Sequence, residues 1–358
     1  MSTFGATKPK TAIKALNKTT IQQPTYTEWH DLQVNAINRF PLHTNFFTYP
    51  ADDWVSEKDG KIVSKDILHM NKTESKYFLS LDGTWKFNWV ANADQRPTDF
   101  YKEDLDDSKW KTMNVPGNWE MNGFGNPEYV NVGFGWRGHF DQQPPAVPTK
   151  DNHVGSYRRI IDIPANWDGK QVVAHFGSVT SNIYLYVNGK FAGYAEDSKV
   201  AAEFDITPYL KKGKNLIAFQ TFRWCDGSWD EDQDFWRLSG VARESYLFAR
   251  DAQLHLEDIR VTPDLVNNYK DGVLNISTKV KGNGKLVFTL FDKDGKQVAT
   301  TTGVAKNGTA NFSLQVANPQ KWSAETPYLY TLQVSLREWA TDSIFRSIHI
   351  LPFRANRK

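Results

Sequence analysis

Residues 223–240 combine two kinds of side chain that rarely share a short stretch. The stretch reads RWCDGSWDEDQDFWRLSG and holds three tryptophans and five carboxylates. A solvated acidic loop does not need indoles, and a hydrophobic core does not tolerate so many charges unless each has a partner. Indole faces stack on flat apolar surfaces, and carboxylates accept hydrogen bonds from a ligand. The stretch therefore indicates a binding surface.

Each of these residues also has a purely structural interpretation. Asp226 is well placed to cap the turn at Gly227-Ser228, and from the residues alone this role is favoured. Trp224, Trp229 and Trp236 are expected to pack and so to fix the loop. Cys225, the single cysteine of the chain, is expected to be a free thiol.

The charges of the stretch suggest an ion-pair network, because buried carboxylates need basic partners. The predicted members are the acids Glu231, Asp232 and Asp234 and the arginines Arg223, Arg237 and Arg243.

Composition excludes several classes of protein. The 358 residues carry 43 basic and 41 acidic side chains, a formal net charge of +2, so no general field attracts nucleic acid or an anionic membrane. The expected partner is uncharged. There is no apolar run of about eighteen residues, and the eight histidines lack the paired spacing of a zinc site. The polar N-terminus has no signal-peptide pattern, which makes the cytoplasm the default compartment; the periplasm stays open if the true N-terminus carried a signal peptide.

The elements that must position these side chains are predicted to be β-strands. From residue 78, short alternating or apolar runs are separated by Gly, Pro, Asn and Asp, as in an antiparallel sandwich. Asn188-Gly189 lies between two such runs and predicts a two-residue hairpin turn.

A second series of about seven strands, with turns at Asp294-Gly295 and Asn307-Gly308, suits an immunoglobulin-like sandwich. The predicted organisation is an extended arm at 1–77, a first sandwich at 78–251, a second at 252–336 and an atypical tail at 337–358.

Several long motifs in one order resemble glycoside hydrolase family 2, and specifically its large bacterial β-galactosidases. They read LDGTWKF at 81–87, VPGNWEMNGFGNPEYVN at 115–131, PPAVPTKDNHVGSYRR at 144–159 and VNGKFAGYAEDSKVAAEFDIT at 187–207, followed by the stretch at 223–240. The resemblance extends over about residues 24–336. It implies a jelly-roll sugar-binding domain followed by an immunoglobulin-like domain.

In that family a TIM barrel follows and holds both catalytic glutamates of a retaining double displacement. A barrel takes roughly 250 residues, and only 22 follow Leu336. No Glu in the sequence follows an Asn, as the family's acid/base does. We therefore expect no barrel and no catalytic residue in this chain, which alone is expected to be inactive. A frameshift or a truncation would explain the tail.

The resemblance also implies the site residues. Asp226 matches the aspartate that contacts the galactosyl hydroxyls and helps to hold Na⁺, at a site shared with the barrel. Asn131, with Val132 beside it, matches the asparagine that contacts the same sugar. Mg²⁺ is expected only in the complete enzyme, with no ligands here. The complete enzyme is expected to be a homo-oligomer.

Three functions compete. The chain is the non-catalytic front of a β-galactosidase, a free-standing carbohydrate-binding module, or an interaction fragment that assembles with another chain. The first is favoured, because a single wall of a sugar site gives little affinity. A β-glucuronidase of the same family is disfavoured by the motifs at 119–131 and 226–237, which look like the galactosidase branch.

Overall fold

The computed structural model describes residues 23–58, 61–64, 68, 70–133, 143–231, 234–338 and 344–352. Throughout these residues the chain forms β-strands and short 3-10 turns, with a four-residue α-helix, α1, at Ala51–Trp54. The all-β fold class expected from the alternating pattern is confirmed.

The strands before residue 251 are β1 (Ala36–Ile37), β2 (Thr48–Pro50), β3 (Val55–Lys58), β4 (Lys61–Ser64), β5 (Phe78–Ser80), β6 (Gly83–Val90), β7 (Lys111–Val115), β8 (Gly117–Asn118), β9 (Glu128–Val130), β10 (Val154–Ile163), β11 (Gln171–Phe176), β12 (Val179–Thr180), β13 (Asn182–Val187), β14 (Lys190–Glu196), β15 (Ala202–Asp205), β16 (Gly213–Phe222), β17 (Phe235–Arg237), β18 (Gly240–Val241) and β19 (Ser245–Arg250). The later strands are β20 (His255–Val266), β21 (Asp271–Phe291), β22 (Gln297–Val316), β23 (Leu329–Glu338) and β24 (Ile344–Pro352). The 3-10 turns are Glu28–His30, Lys72–Glu74, Ala93–Gln95, Glu120–Asn122, Ala165–Trp167, Thr207–Tyr209 and Asp226–Trp229.

The first domain is a sandwich of two antiparallel sheets. One sheet has the order β1-β14-β13-β16-β10-β6-β7 and the other the order β15-β11-β19-β5. Their facing side chains form one core that includes Trp85, Tyr157 and Phe219, each of them almost fully buried. Tyr157 stacks on Phe219 with ring centroids 4.3 Å apart. Many of the aromatic residues of the sequence are thus used to fill this core.

The hairpin predicted at Asn188-Gly189 is confirmed. Asn188 has φ 49° and Gly189 has φ 77°, and the turn joins β13 to β14. Both positions lie in the left-handed region, which Asn and Gly tolerate better than other residues. The turn places β14, which ends at Glu196, beside β13 in the larger sheet.

The second domain is built from fewer and longer strands than the sequence suggests. β21 runs for 21 residues. The first part of β21 pairs with β20 and the second part pairs with β23. β22 pairs with β21 along the length of both strands. The predicted turn at Asn307-Gly308 is wrong, because both residues lie within β22. The pairing of β21 with β22 shifts register opposite them, between Val280 and Asn283, so the chain bulges there without reversing.

The N-terminal segment contacts both domains through its backbone. β1 pairs with the edge of the larger sheet at β14, and β2 pairs with β24 in the second domain. β24, which falls in the range assigned to a tail, pairs with β23 over nine register positions from Leu329↔Pro352 to Arg337↔Ile344. Within the described residues, no helix has the length and apolar character needed to cross a membrane.

Candidate functional site

Asp226 begins a short 3-10 turn four residues beyond the end of a central strand. β16 ends at Phe222, and the turn spans Asp226–Trp229. Ser228 fixes its start, because the Ser228 hydroxyl oxygen accepts a hydrogen bond from the backbone N–H of Cys225 at 3.1 Å. The turn therefore holds Asp226 at the end of the larger sheet with its backbone already constrained.

The Asp226 side chain lies in the interior. The residue is 6% exposed, and its Oδ2 atom is buried with no hydrogen-bond partner among the residues that the structure describes. Asp226, Cys225 and Glu196 each place one atom that could bind a metal ion within 4.8 Å of the corresponding atoms of the other two. A buried carboxylate oxygen needs a proton donor, a cation or a ligand hydroxyl to meet it. Oxygen is the ligand type that hard cations prefer.

Glu196 is the part of this cluster that the sequence reading missed. Burial, and then the neighbouring carboxyl group of Asp226, raise the pKa of Glu196 to about 9, although a hydrogen bond from the Tyr194 hydroxyl opposes the shift. Glu196 thus holds its proton at neutral pH and can share it with the Asp226 carboxylate, so the cluster carries less negative charge than its composition suggests. The only available signal was its place at the end of a strand-like run, which does not reveal the contact with Asp226.

The Cys225 thiol belongs to the same buried cluster. It is free, as expected, and 1% exposed, and its Sγ lies 3.8 Å from the carbonyl oxygen of Ser181. Burial raises the pKa of Cys225 well above its ordinary value. The group is therefore a neutral thiol that packs beside the carboxyl groups.

Asn131 and Val132 lie on the surface, directly after β9. Both are exposed, Val132 at 66%. β9 pairs with β17, and in that register Val130 is opposite Phe235, nine residues beyond Asp226. The structure thus joins the segments that carry the predicted sugar contacts, with Asn131 and Val132 exposed and Asp226 buried.

Several described members of the predicted ion-pair network have partners other than those expected. Arg223 is buried and pairs with Glu128 of β9 at 3.1 Å. Glu231 instead accepts a hydrogen bond from the backbone N–H of Ser198 at 2.8 Å, and Arg243 donates to the carbonyl oxygen of Lys199 at 2.6 Å. These partners come from elements that are remote in sequence, so the spacing of charges could not identify them.

The remaining acids and the indoles divide between core and surface. Asp234 accepts a hydrogen bond from the Tyr129 hydroxyl, whereas Asp232 lies outside the described residues. Trp224 is 8% exposed, in agreement with packing, and the Nε1–H of Trp229 donates to the carbonyl oxygen of Ala146 at 3.2 Å. The packing role predicted for Trp236 is wrong, because Trp236 is 53% exposed.

Comparison with known proteins agrees with this architecture. Residues 78–251 match the sugar binding domain of glycosyl hydrolases family 2, and residues 254–348 match a second region of the same family. Two similar relatives are a β-galactosidase of Priestia megaterium, 36% identical over 328 residues (88% of this chain, 30% of the relative), and the β-galactosidase large subunit of Leuconostoc lactis, 32% identical over 337 residues (90% and 50%). The chain thus spans between 30% and 50% of their length.

The solved structures that resemble the chain share its fold. A β-glucuronidase of Bacteroides uniformis aligns with a TM-score of 0.61 at 23% identity, covering 77% of this chain and 32% of that one. A β-glucuronidase of Bifidobacterium dentium aligns with a TM-score of 0.63 at 17% identity, covering 81% of this chain and 50% of that one. At such identities the likeness concerns the arrangement of strands alone. The two matched regions, the relatives that span most of this chain and the paired sandwiches together show that the chain belongs to glycosyl hydrolase family 2.

Proposed function

We propose that the chain is the N-terminal, non-catalytic part of a β-galactosidase that hydrolyses terminal non-reducing β-D-galactose residues. Its contribution is one wall of the galactose site, formed by Asn131, Val132 and Asp226. Support comes from the β-galactosidase relatives, which match 88% and 90% of the chain. The observation that carries the assignment of Asp226 is the buried cluster in which its carboxyl group, the Glu196 carboxyl group and the Cys225 sulfur each place one ligand atom within 4.8 Å of the others.

The donor set fits an alkali cation. Asp226 and neighbouring Glu196 offer carboxyl oxygens in one buried cluster. Oxygen ligands are the type that a hard cation, such as an alkali ion, prefers. In this proposal Asp226 binds Na⁺ together with ligands from the longer enzyme, and the ion supplies positive charge beside the sugar hydroxyls. Mg²⁺ is assigned to the remainder of that enzyme.

Asn131 and Val132 act on the open side of the same site. A carboxamide both donates and accepts hydrogen bonds, so it can bridge adjacent sugar hydroxyls, and the exposed Val132 gives an apolar contact beside it. These residues orient the sugar. The acid/base and the nucleophile of hydrolysis are assigned to the part of the enzyme outside this chain.

The experiment that tests the proposal restores a complete enzyme. The chain is joined after Pro352, the end of β24, to the corresponding C-terminal region of the Priestia megaterium relative. This junction keeps β24 paired with β23. Hydrolysis of a chromogenic β-galactoside by the chimera, and its loss in Asn131→Ala at unchanged thermal stability, supports the role in the sugar site. An active chimera that is insensitive to both Asn131→Ala and Asp226→Asn contradicts it.

A free-standing carbohydrate-binding module is the second candidate, favoured by the exposure of Asn131, Val132 and Trp236 in the chain by itself. A glycan-binding screen of the purified chain separates the two. A module retains a glycan at micromolar concentration, whereas one wall of a larger site binds only in the millimolar range.

A further inference from the structure

Two aromatic rings form a cross-strand pair on the outer face of the β9–β17 ribbon. Tyr129 lies directly opposite Trp236 in the register, and their ring centroids are 5.7 Å apart in an edge-to-face arrangement. The residues are 54% and 53% exposed. Side chains that face each other across paired strands lie on the same side of the ribbon, so the two rings present one surface to solvent.

The ribbon is anchored by the residues of its opposite face. Glu128, next to Tyr129, pairs with the buried Arg223 at 3.1 Å. Phe235, next to Trp236, lies under the cationic groups of Lys199 and Arg237, whose distances to the ring centroid are 5.1 Å and 5.2 Å. These contacts give the ribbon its position. The outer rings are therefore available for another role.

Polar groups at the edge of the pair complete a surface suited to a sugar. The Tyr129 hydroxyl donates to the exposed carboxylate of Asp234, which fixes the ring and leaves the carboxylate able to accept further hydrogen bonds. A pyranose ring presents an apolar C–H face and a rim of hydroxyl donors. The two aromatic rings can contact the apolar face of the sugar, and the carboxylate can accept hydrogen bonds from its hydroxyls.

The pair lies beside the proposed galactose contacts. Asn131 follows Tyr129 by two residues, a backbone separation of at most roughly 7 Å, and lies in the bend directly after β9. We propose that Tyr129 and Trp236 form an aromatic platform for the second sugar ring of a β-galactoside whose galactosyl ring contacts Asn131 and Asp226. This inference rests on the proposed function and deepens it, because it assigns the leaving-group side of the substrate.

A protein partner is the other occupant to consider for exposed aromatic rings. A stable protein interface buries about 800 Å² on each side, whereas two half-exposed rings offer the area of one small ligand. The aromatic platform also carries the Asp234 carboxylate at its edge, which a sugar hydroxyl satisfies without the cost of burying a charge in a protein interface. A sugar ring is therefore the better match.

The test measures affinity of the purified chain for two probes by ligand-observed NMR titration. Lactose has two rings, and methyl β-D-galactopyranoside has only the galactosyl ring. The wild type is expected to bind lactose more tightly. Trp236→Ala, and separately Tyr129→Ala, should weaken lactose binding about fivefold, the size of one aromatic contact, and leave methyl galactoside binding unchanged. Tyr269→Ala is the matched control, because Tyr269 is 61% exposed in the second domain.

Each other outcome has a definite meaning. The platform is overturned if Trp236→Ala and Tyr129→Ala lower the affinity for both probes equally or for neither. It is also overturned if the wild type does not bind lactose. A change only in self-association, seen by light scattering, also overturns it and assigns the rings to a protein contact. Asn131→Ala should weaken both probes. If it weakens neither while Trp236→Ala still lowers lactose affinity, the platform stands and the assignment of the galactose contacts fails.

Discussion

Nε2 of His43 lies 2.8 Å from Oε2 of Glu203, and this contact joins the N-terminal segment to the first sandwich. The other carboxylate oxygen of Glu203 lies 2.8 Å from Nδ1 of His175, whose ring stacks on Tyr246. Glu203 is 8% exposed, so a single buried carboxylate serves two imidazoles. The docking of the segment before the first sandwich therefore depends on charge at this point.

His43 should make docking stronger in mild acid. The hydrogen bond to Glu203 raises the pKa of His43 above 6.5, with burial opposing and Asp258 assisting. A raised pKa means that the folded state binds the proton more tightly, so the stabilisation is complete below pH 6.5 and is lost as the pH rises through the folded pKa. His43→Gln should lower the free energy of unfolding by about 1 kcal/mol near pH 5.5 and by much less near pH 8.5.

Chemical denaturation across that range measures the difference. His30→Gln is the control, since His30 is an exposed histidine of the same segment. A His43→Gln penalty that is the same at both pH values would show that the contact contributes packing without charge.

Glu203 should govern the acid side of the stability curve. Burial raises its pKa, but the hydrogen bonds from His175 and His43 prevail and lower it to about 2. A lowered pKa gives stability that is present above the ordinary value of 4.5 and is lost as the pH falls toward 2. Glu203→Gln should cost about 3 kcal/mol at pH 6, because it leaves the buried His175 and the partly buried His43 without their carboxylate. It should also flatten the decline in stability between pH 4.5 and 3. Unfolding curves at each pH check this, and an undiminished decline in the variant would refute the assignment.

Trp119 and Tyr157 should show the cost of one buried hydrogen bond. The Trp119 Nε1–H donates to the Tyr157 hydroxyl oxygen at 2.6 Å, and both residues are fully buried. Tyr157→Phe keeps the ring and orphans the indole N–H, so we expect a loss of about 2 kcal/mol. Tyr269→Phe on the surface is the control and should change nothing. Equal stabilities of wild type and Tyr157→Phe, measured by denaturant titration, would show that another acceptor replaces the hydroxyl.

The chain alone should not hydrolyse a chromogenic β-galactoside. The sugar contacts proposed for Asn131 and Asp226 would orient a ligand, but they would supply neither a general acid nor a nucleophile in the required pair. A sensitive assay of the purified chain should give the rate of the buffer blank. Turnover that co-purifies with the chain and disappears in Asp226→Asn would contradict the division of labour proposed here.

The sequence predicted the features that depend on neighbours in the chain. Alternating runs and turn formers identified the sandwiches, and Asn188-Gly189 identified its hairpin because both residues accept positive φ. Asn307-Gly308 has similar residue types, yet it lies at a bulge within a strand. The two cases differ in how the flanking residues pair with other strands, and local composition does not contain that information.

Features that depend on distant contacts could not be predicted. Glu203 joins His43 across 160 residues, and Glu196 meets Asp226 across 30, so no spacing rule points to either pair. Trp236 was expected to be packed because most tryptophans are, and it is exposed because the β9–β17 ribbon turns it outward. The motif identified the residues of the candidate site, whereas their burial and their neighbours required the structure.

The central claim is that Asp226 binds Na⁺ and the galactosyl ring. The direct test uses the chimera joined after Pro352 and its Asp226→Asn variant. Initial rates of both proteins are measured against sodium concentration at constant ionic strength, and thermal melts of both report their stability. We expect a saturable sodium response in the parent. Asp226→Asn should lose this response together with most of the activity, because the sugar is no longer held in a reactive geometry. An unchanged sodium response in Asp226→Asn, with only a loss of about 1 kcal/mol in stability from a missing turn cap, would contradict it.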